Sequence, residues 1–444
     1  MPSHDSLIAM SVLSSVTGAA RRLPFGIGTV SIVLVAALIA CVGVVLAMGT
    51  PDTPDSYESG LLRSYPNAPA VAWTQSSDTL PGFGADTDIQ VVDTWQESWL
   101  LAYPSGIGRA FLAVDRRTGA PLWDKPVISG LGGCAFDSTG TVGCAVKVGT
   151  VPDGFYVVDD DGTPRSRSPL DDTADVVGLG SAFLRIDQAG YGVSVRTPAG
   201  KTLWNRTFAA AAAARVEYGV VVISTVDGSE FVVDPRTGAD RVACSVCEIT
   251  VYPSGITVQH NEFGDEHTDT YGLSNGSLTD KPVWSGRGLR VVPGPTVLPV
   301  LTGVGAAQIQ AGQGRYEMRD PADSEALWQI TDPELSKANT RPCGSDVAFA
   351  LKDRSRVVYD LADGNRIGTF GVPSLDSPDT NLDQLRCVGS SGDTLVFANP
   401  NQLTAFDARR GSVRWELPVI GTTQVVDGYI VLTQGTSLSV LRPN

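Results

Sequence analysis

Histidine and basic residues are scarce in this chain, and their scarcity restricts its chemistry. The 444 residues include 3 histidines, and 33 lysines and arginines stand against 48 aspartates and glutamates, so the formal net charge is −15. A protein this acidic repels the phosphates of nucleic acids, so we expect no nucleic-acid partner. No Gly-x-Ser-x-Gly motif is present, and a Ser/His/Asp arrangement would have to use His260 or His267. Serine hydrolase chemistry is therefore not indicated.

Patterns typical of helices are almost absent after residue 70, and a repeated strand pattern takes their place. Each copy has an apolar strand, a turn that is acidic in most copies and a second strand that often ends in tryptophan. Equivalent positions in eight copies are 37 to 47 residues apart, which is the length of a four-stranded propeller blade. The clearest copies are Ala113–Trp123, Val232–Val242, Val357–Phe370 and Thr404–Trp415.

These copies predict an all-β fold, a β-propeller of about eight four-stranded blades, preceded by one transmembrane helix. Nine units can be counted, and the irregular stretch Gly286–Gln329 is the one expected not to form a complete blade. Gln424–Pro443 supplies three strands without a fourth, whereas Ala70–Gln75 is a lone final strand. Pairing of these two ends would close the ring and remove its free edges.

The best copy resembles the repeat of PQQ-like (quinoprotein-like) propellers, which reads hydrophobic-Ala-Leu-Asp-x-x-Thr-Gly-x-x-x-Trp. Ala113–Trp123 matches this string well, and Val232–Val242 and Ala405–Trp415 match it in part. The resemblance covers residues 70–444. In architecture the chain is similar to the BamB propeller lipoproteins of outer-membrane assembly. It is also similar to membrane-anchored actinobacterial PQQ-like proteins, one family of which is associated with the maturation of lipomannan and lipoarabinomannan. The resemblance implies a binding or scaffold module in the cell envelope.

A PQQ-dependent quinoprotein oxidoreductase is the alternative that the same resemblance implies. Enzymes of that family hold PQQ with a calcium ion bound by Glu, Asn and Asp, and many have a disulfide between adjacent cysteines. This chain has no Cys-Cys pair and no string of acidic and amide residues that can be assigned to calcium. We therefore expect no catalytic residues and no cofactor, and PQQ with calcium remains the alternative.

An uncharged segment of 23 residues, Gly26–Met48, is long enough to span a bilayer. Arg21 and Arg22 precede it, and acidic residues follow it, so the N-terminus is predicted to be cytoplasmic and the propeller extracytoplasmic at the plasma membrane. A lipobox ending at Cys41 is the competing interpretation, in which that cysteine is lipidated. The predicted order is a tail at 1–25, a signal anchor at 26–48, a linker at 49–69 and a propeller at 70–444.

Cysteine usage agrees with an oxidising compartment, because six cysteines remain outside the predicted anchor. One pair flanks a tight turn, a second forms C-x-x-C between two units, and a third occupies equivalent first strands of neighbouring units. Fifteen pairings of six cysteines are possible. The candidate pairs in that order are Cys134 with Cys144, Cys244 with Cys247, and Cys343 with Cys387.

Both histidines of the propeller region lie in one acidic segment that ends at Asp269. Imidazole and carboxylate groups could bind zinc or another divalent ion, although acidic loops are ordinarily only solvated. The metal-ligand candidates are His260, His267, Glu262 and Asp265. A metal-binding or ligand-binding sensor ectodomain is therefore a second alternative. For the scaffold, the expected partners are the membrane and either a protein or an envelope glycan or glycolipid.

Overall fold

The computed structural model describes residues 57–84, 88–167, 169–261, 266–274, 276–303, 314–351, 355–370 and 386–444. Within these ranges the regular elements are strands, apart from one 3-10 helix at Pro333–Lys337. The strands form nine antiparallel sheets, and each sheet is one blade. The predicted all-β propeller is therefore confirmed, with a blade number that differs from the prediction.

The blades follow one another along the chain. Strand β1 spans Ala70–Ser76. Blade 1 contains β2 Gln90–Trp95, β3 Ser98–Ser105, β4 Gly108–Asp115 and β5 Val127–Gly130. Blade 2 contains β6 Cys134–Phe136, β7 Val142–Val146, β8 Gly154–Val158 and β9 Pro164–Arg165. Blade 3 contains β10 Thr173–Leu179, β11 Ala182–Asp187, β12 Gly192–Arg196 and β13 Thr202–Thr207. Blade 4 contains β14 Ala212–Glu217, β15 Val220–Thr225, β16 Ser229–Val233 and β17 Asp240–Ser245.

The second half of the ring repeats this order. Blade 5 contains β18 Cys247–Tyr252, β19 Gly255–His260 and β20 His267–Ser274, with the fourth position shared by β21 Ser277–Leu278 and β22 Trp284–Arg287. Blade 6 contains β23 Leu289–Val291, β24 Val300–Gly303, β25 Arg315–Arg319 and β26 Ala326–Thr331. Blade 7 contains β27 Asn339–Cys343, β28 Asp346–Ala350, β29 Arg356–Asp360 and β30 Arg366–Phe370. Blade 8 contains β31 Arg386–Ser391, β32 Thr394–Asn399, β33 Gln402–Asp407 and β34 Val413–Pro418. Blade 9 contains β35 Thr422–Val426, β36 Tyr429–Gln434 and β37 Ser437–Arg442, completed by β1.

The repeated turn lies between the third and fourth strands of a blade and contacts the preceding blade. In blade 1, Asp115 Oδ1 accepts the backbone N–H of Thr118 at 2.8 Å, and Gly119 closes the turn at φ +70°. The indole Nε1 of Trp73, from blade 9, donates to the carbonyl of Arg116 in the same turn at 2.8 Å. The same donation recurs from Trp204 to Pro235 at 2.9 Å and from Trp328 to Leu361 at 2.8 Å. The tryptophans therefore pack between blades, as the repeat predicts.

The ring closes through strands from the two ends of the propeller. Strand β1 pairs antiparallel with β37, from Ala70 opposite Arg442 to Ser76 opposite Ser437. No turn connects these two strands, so the carbonyl of Tyr65 accepts the indole N–H of Trp415 at 2.9 Å in place of a turn residue. The predicted closure of the ring by an N-terminal strand is therefore confirmed.

The expectation of eight blades was wrong. The stretch Gly286–Gln329, expected to be incomplete, contains three strands of blade 6 and most of the fourth, β26, with Met318 opposite Trp328 in the last pair. Its irregularity comes from the proline-rich connection at 292–299, which interrupts the apolar pattern between two short strands. Burial of Leu301 and Met318 against neighbouring strands compensates for the weak local pattern.

The compact unit begins at Tyr57, earlier than the predicted start at residue 70. Leu62 and Tyr65, assigned from sequence to the linker at 49–69, are buried, and Leu61 forms a parallel bridge with Ser390. The predicted tail at 1–25, the anchor Gly26–Met48 and the lipidation candidate Cys41 lie outside the described residues. Among the described residues, no helix is both long enough and apolar enough to cross a bilayer.

Candidate functional site

The two faces of the ring can be defined from the strand order. The four strands of a blade alternate in direction, so the turn after the second strand and the connection into the next blade leave from one edge. We call this edge the upper face. The turn after the first strand and the connection before the fourth strand form the lower face.

The upper face exposes most of the large apolar side chains that are not on strands. Eight such side chains, 43 to 82% exposed, lie in its connections, whereas the lower-face connections have two among the described residues, Leu122 and Tyr218. Exposed apolar side chains mark interaction sites when they form contiguous patches, whereas single ones are ordinary on any surface. The eight residues are Ile107, Leu131, Val148, Leu170, Tyr191, Val226, Val246 and Ile420.

Two of the eight are held in a conformation that valine disfavours. Val148 has φ +58° and Val246 has φ +55°. A β-branched residue in the left-handed region costs about 1–2 kcal/mol, and exposure of its side chain to water adds no stability. Strained residues of this kind concentrate at functional sites. Glycine would suit folding better at both positions, so the valines point to a role outside folding.

Many connections of the same face carry no charge. Nine of those that are fully described contain no charged residue, although the chain as a whole carries a net charge of −15. The free-energy cost of removing water from an apolar surface with few charges is small when a partner covers it. These uncharged connections are residues 106–107, 131–133, 188–191, 208–211, 246, 288, 400–401, 419–421 and 435–436.

The lower face is partly covered by the chain itself. The segment 59–63 crosses it, because the N–H of Ser59 donates to the hydroxyl of Tyr218 in blade 4 and the N–H of Arg63 donates to the carbonyl of Gly428 in blade 9. A cavity of about 620 Å³ lies beside this segment, lined by residues 57–60, 293–295, 386–388, 423–425 and 427–428. The upper face has no such covering from the described residues.

Two histidines and an aspartate converge at the upper end of blade 5. His260 and His267 are opposite each other on β19 and β20, and Asp269 lies two residues further on the same face of β20. The imidazole rings stack with centroids 4.2 Å apart. Asp269 Oδ2 is 3.5 Å from His260 Nε2 and 3.9 Å from His267 Nε2. Of the four predicted metal ligands, the structure thus brings two together, while Glu262 and Asp265 lie outside the described residues.

The six cysteines form three disulfides, so the prediction of disulfides is confirmed. Cys134–Cys144 links two strands of blade 2, Cys244–Cys247 joins blade 4 to blade 5, and Cys343–Cys387 joins blade 7 to blade 8. Cys247 lies opposite His260 in the pairing of β18 with β19. The C-x-x-C disulfide therefore adjoins the histidine cluster.

Two buried charged groups were not found from sequence. Arg185 is 2% exposed, bonds Asp171 at 3.2 Å and lies 3.4 Å from the centroid of the Phe155 ring, so it ties blade 3 to blade 2. Burial lowers its pKa to about 10. Burial, with the carboxylate of Asp360, raises the pKa of Asp346 to about 7. Neither residue stands in a recognisable motif, because the partners of each come from other strands or connections.

Comparison with known proteins adds little to these observations. No family model matches the chain, and no curated protein matches it. BamB from Moraxella catarrhalis is 12% identical, with 84% of this chain and 100% of that chain covered and a TM-score of 0.41. The Dos1 propeller is 10% identical over 84% and 94% of the two chains, with a TM-score of 0.39. The computationally designed Ika8 protein is 14% identical over 81% and 97%, with a TM-score of 0.37. At such low scores, the propeller assignment rests on the nine sheets and the closing strand.

Proposed function

We propose that this chain is a non-enzymatic binding and scaffold module whose upper face holds a protein partner. The observation that carries the proposal is the concentration of eight exposed apolar side chains on that face, two of them strained valines. A closed ring of nine sheets holds the connections rigidly, so a partner would bind a surface that is already organised.

The proposed setting is the cell envelope. The segment Gly26–Met48 would anchor the propeller on the extracytoplasmic side of the plasma membrane, and three disulfides suit an oxidising compartment. Within that setting we propose a role in envelope assembly. Lipoglycan maturation is the process that the sequence resemblance suggests.

The proposed occupant of the upper face is a protein with an apolar, weakly charged surface of its own. The absence of charge from nine described connections favours such a surface over an ionic one. An envelope glycan or glycolipid is the other occupant, and the test distinguishes the two.

The test compares two variants of the full-length protein by affinity capture from lightly cross-linked native membranes. The upper-face variant is Ile107→Ser, Leu131→Ser and Val226→Ser, and its matched control is Leu122→Ser and Val413→Ser, two residues of moderate exposure outside that face. We expect one protein to be captured by the wild type and the control and lost from the upper-face variant. The purified candidate partner should then bind the wild type and the control more tightly than the upper-face variant.

Equal capture by both variants would contradict the assignment of the upper face. Capture of glycan or glycolipid without protein would replace the proposed occupant. We also propose that the protein works without PQQ or any other cofactor. Calcium-dependent uptake of PQQ together with dye-linked oxidation by the purified protein would show the quinoprotein alternative to be correct.

A further inference from the structure

The histidine cluster of blade 5 has a rigid backbone frame. His260 ends β19 and His267 begins β20, so the two lie opposite each other at the end of a hairpin. Asp269 lies opposite Val258, whose side chain shares the buried face with Ile256. The three polar side chains therefore continue the apolar face of the hairpin, and their positions are fixed by strand pairing.

The distances in the cluster do not correspond to hydrogen bonds. The nitrogens of His260 and His267 are 3.5 and 3.9 Å from the same oxygen of Asp269, whereas hydrogen bonds from N–H groups are about 2.7–3.2 Å long. In a tetrahedral zinc site with bonds of about 2.0–2.1 Å, two ligand atoms are separated by roughly 3.4 Å. One donor atom from each residue lies within 4.8 Å of the others. The two distances to Asp269 are close to those between ligands around a shared cation.

The burial of Asp269 adds a second reason for a cation. The residue is 9% exposed, and its Oδ1 atom is buried with no hydrogen-bond partner among the described residues. A buried carboxylate without hydrogen bonds is costly unless a positive charge lies close to it. One divalent ion bound between the three side chains would supply that positive charge.

We propose that His260, His267 and Asp269 bind one divalent first-row transition-metal ion, with Zn²⁺ as the occupant used in the test. Imidazole nitrogens suit zinc and related metals, whereas calcium and magnesium prefer sites made of oxygen alone. Three protein ligands leave a coordination position for water or for an atom of a partner. The site adjoins the upper face, because the N–H of Asn261 donates to the carbonyl of Val246 at 3.2 Å.

The experiment titrates Zn²⁺ into the full-length protein in detergent, against a competing chelator. Cys41 is the single cysteine outside the three disulfides, so Cys41→Ser provides the background. One equivalent of zinc is expected. His260→Gln, His267→Gln and Asp269→Asn should each weaken binding by more than about 100-fold, since loss of an outer-shell partner alone costs 10–100-fold. Calcium at the same concentration should not compete.

The chain supplies its own matched control, because His4 is the one other histidine. His4→Gln should bind zinc as the background does. Cobalt should give the intense visible absorption of a tetrahedral ion in the background and not in the three site variants. Thermal unfolding in chelator checks the fold, and the rise in midpoint on adding zinc should be confined to proteins with an intact site. Equal zinc affinity in the background and the site variants, or no bound zinc in the background, would overturn the proposal.

Discussion

The indole ring of Trp73 lies against Gly119 of the neighbouring blade so closely that a Cβ atom at residue 119 would be 2.6 Å from the ring. Trp204 stands in the same relation to Gly238, and Trp328 to Gly364. The glycine of the repeated turn therefore has two functions: it adopts a positive φ, and it leaves room for the tryptophan of the preceding blade.

Gly119→Ala should destabilise the protein more than its turn conformation alone explains. Gly228→Ala is the control, because Gly228 has φ +84° and a Cβ atom at that residue would meet no other group within 4 Å. The control should lower the free energy of unfolding by about 1–2 kcal/mol through its positive φ. Gly119→Ala should lose a further 1–3 kcal/mol, roughly the cost of overpacking. Chemical denaturation of both variants measures the difference, and equal losses would show that the Trp73 contact is not restrictive.

Asparagine at the strained valines should separate binding from stability. Val148→Asn and Val246→Asn should leave the free energy of unfolding unchanged or raise it by up to about 1 kcal/mol, because asparagine tolerates the left-handed region. Both should weaken partner capture. Val226→Asn is the control, since this exposed residue is not in that region and should affect capture alone. A loss of stability at Val148 or Val246 would mean that the valines serve folding.

Asp346 should make stability fall as pH rises towards neutrality. Its pKa is raised to about 7 by burial and by the charge of Asp360, against 3.8 for the ordinary group. Between these values the folded state binds a proton that the unfolded state has lost, so this contribution is complete below pH 4 and disappears above pH 7. Asp346→Asn should remove on the order of 2–3 kcal/mol of the change in unfolding free energy between pH 5 and pH 8.

Asp227 provides the control for that pH profile. Hydrogen bonds from Thr225 and Ser229 lower the pKa of Asp227, so its contribution to stability is present at neutral pH and lost in acid. Asp227→Asn should therefore change the profile in the opposite sense, at lower pH. Denaturation at a series of pH values distinguishes the two variants. A profile for Asp346→Asn that parallels the wild type would contradict the raised pKa.

The disulfide between blades 7 and 8 should stabilise the protein most. Cys343 and Cys387 close a loop of 44 residues, whereas Cys244 and Cys247 are 3 residues apart. Chain entropy then predicts that Cys343→Ala with Cys387→Ala lowers the free energy of unfolding by about 4 kcal/mol. The double variant Cys244→Ala with Cys247→Ala should lower it by about 2 kcal/mol. Thermal or urea unfolding under non-reducing conditions tests this order. A larger loss at the C-x-x-C pair would instead indicate that this bond supports the neighbouring histidine cluster.

The sequence predicts the blade because the information for it is local. Asp115 and Gly119 specify the turn within five residues, and the copies recur at blade length. Blade 6 was not predicted to be complete, for the opposite reason. The burial of Leu301 and Met318 depends on strands that irregular connections separate from them in the sequence. The closing pair could be anticipated because three strands without a fourth leave an unpaired edge.

The candidate sites differ in the same way. His260 and His267 are close in sequence, so their proximity could be foreseen, but the place of Asp269 depends on the register of β19 with β20. The upper face could not be foreseen, because its apolar residues occur one per connection and only the ring brings them to one side. Asp346 likewise depends on Asp360 in another strand.

The closing strand imposes an order on biosynthesis. Strand β1 is made about 360 residues before its partner β37, because Ser76 pairs with Ser437. Until the last blade emerges, β1 has no strand to pair with and the growing array has open edges, where nascent chains can associate wrongly. A chain that stops before Ser437 therefore loses more than one strand, since it leaves an arc with two exposed ends where the finished protein has none.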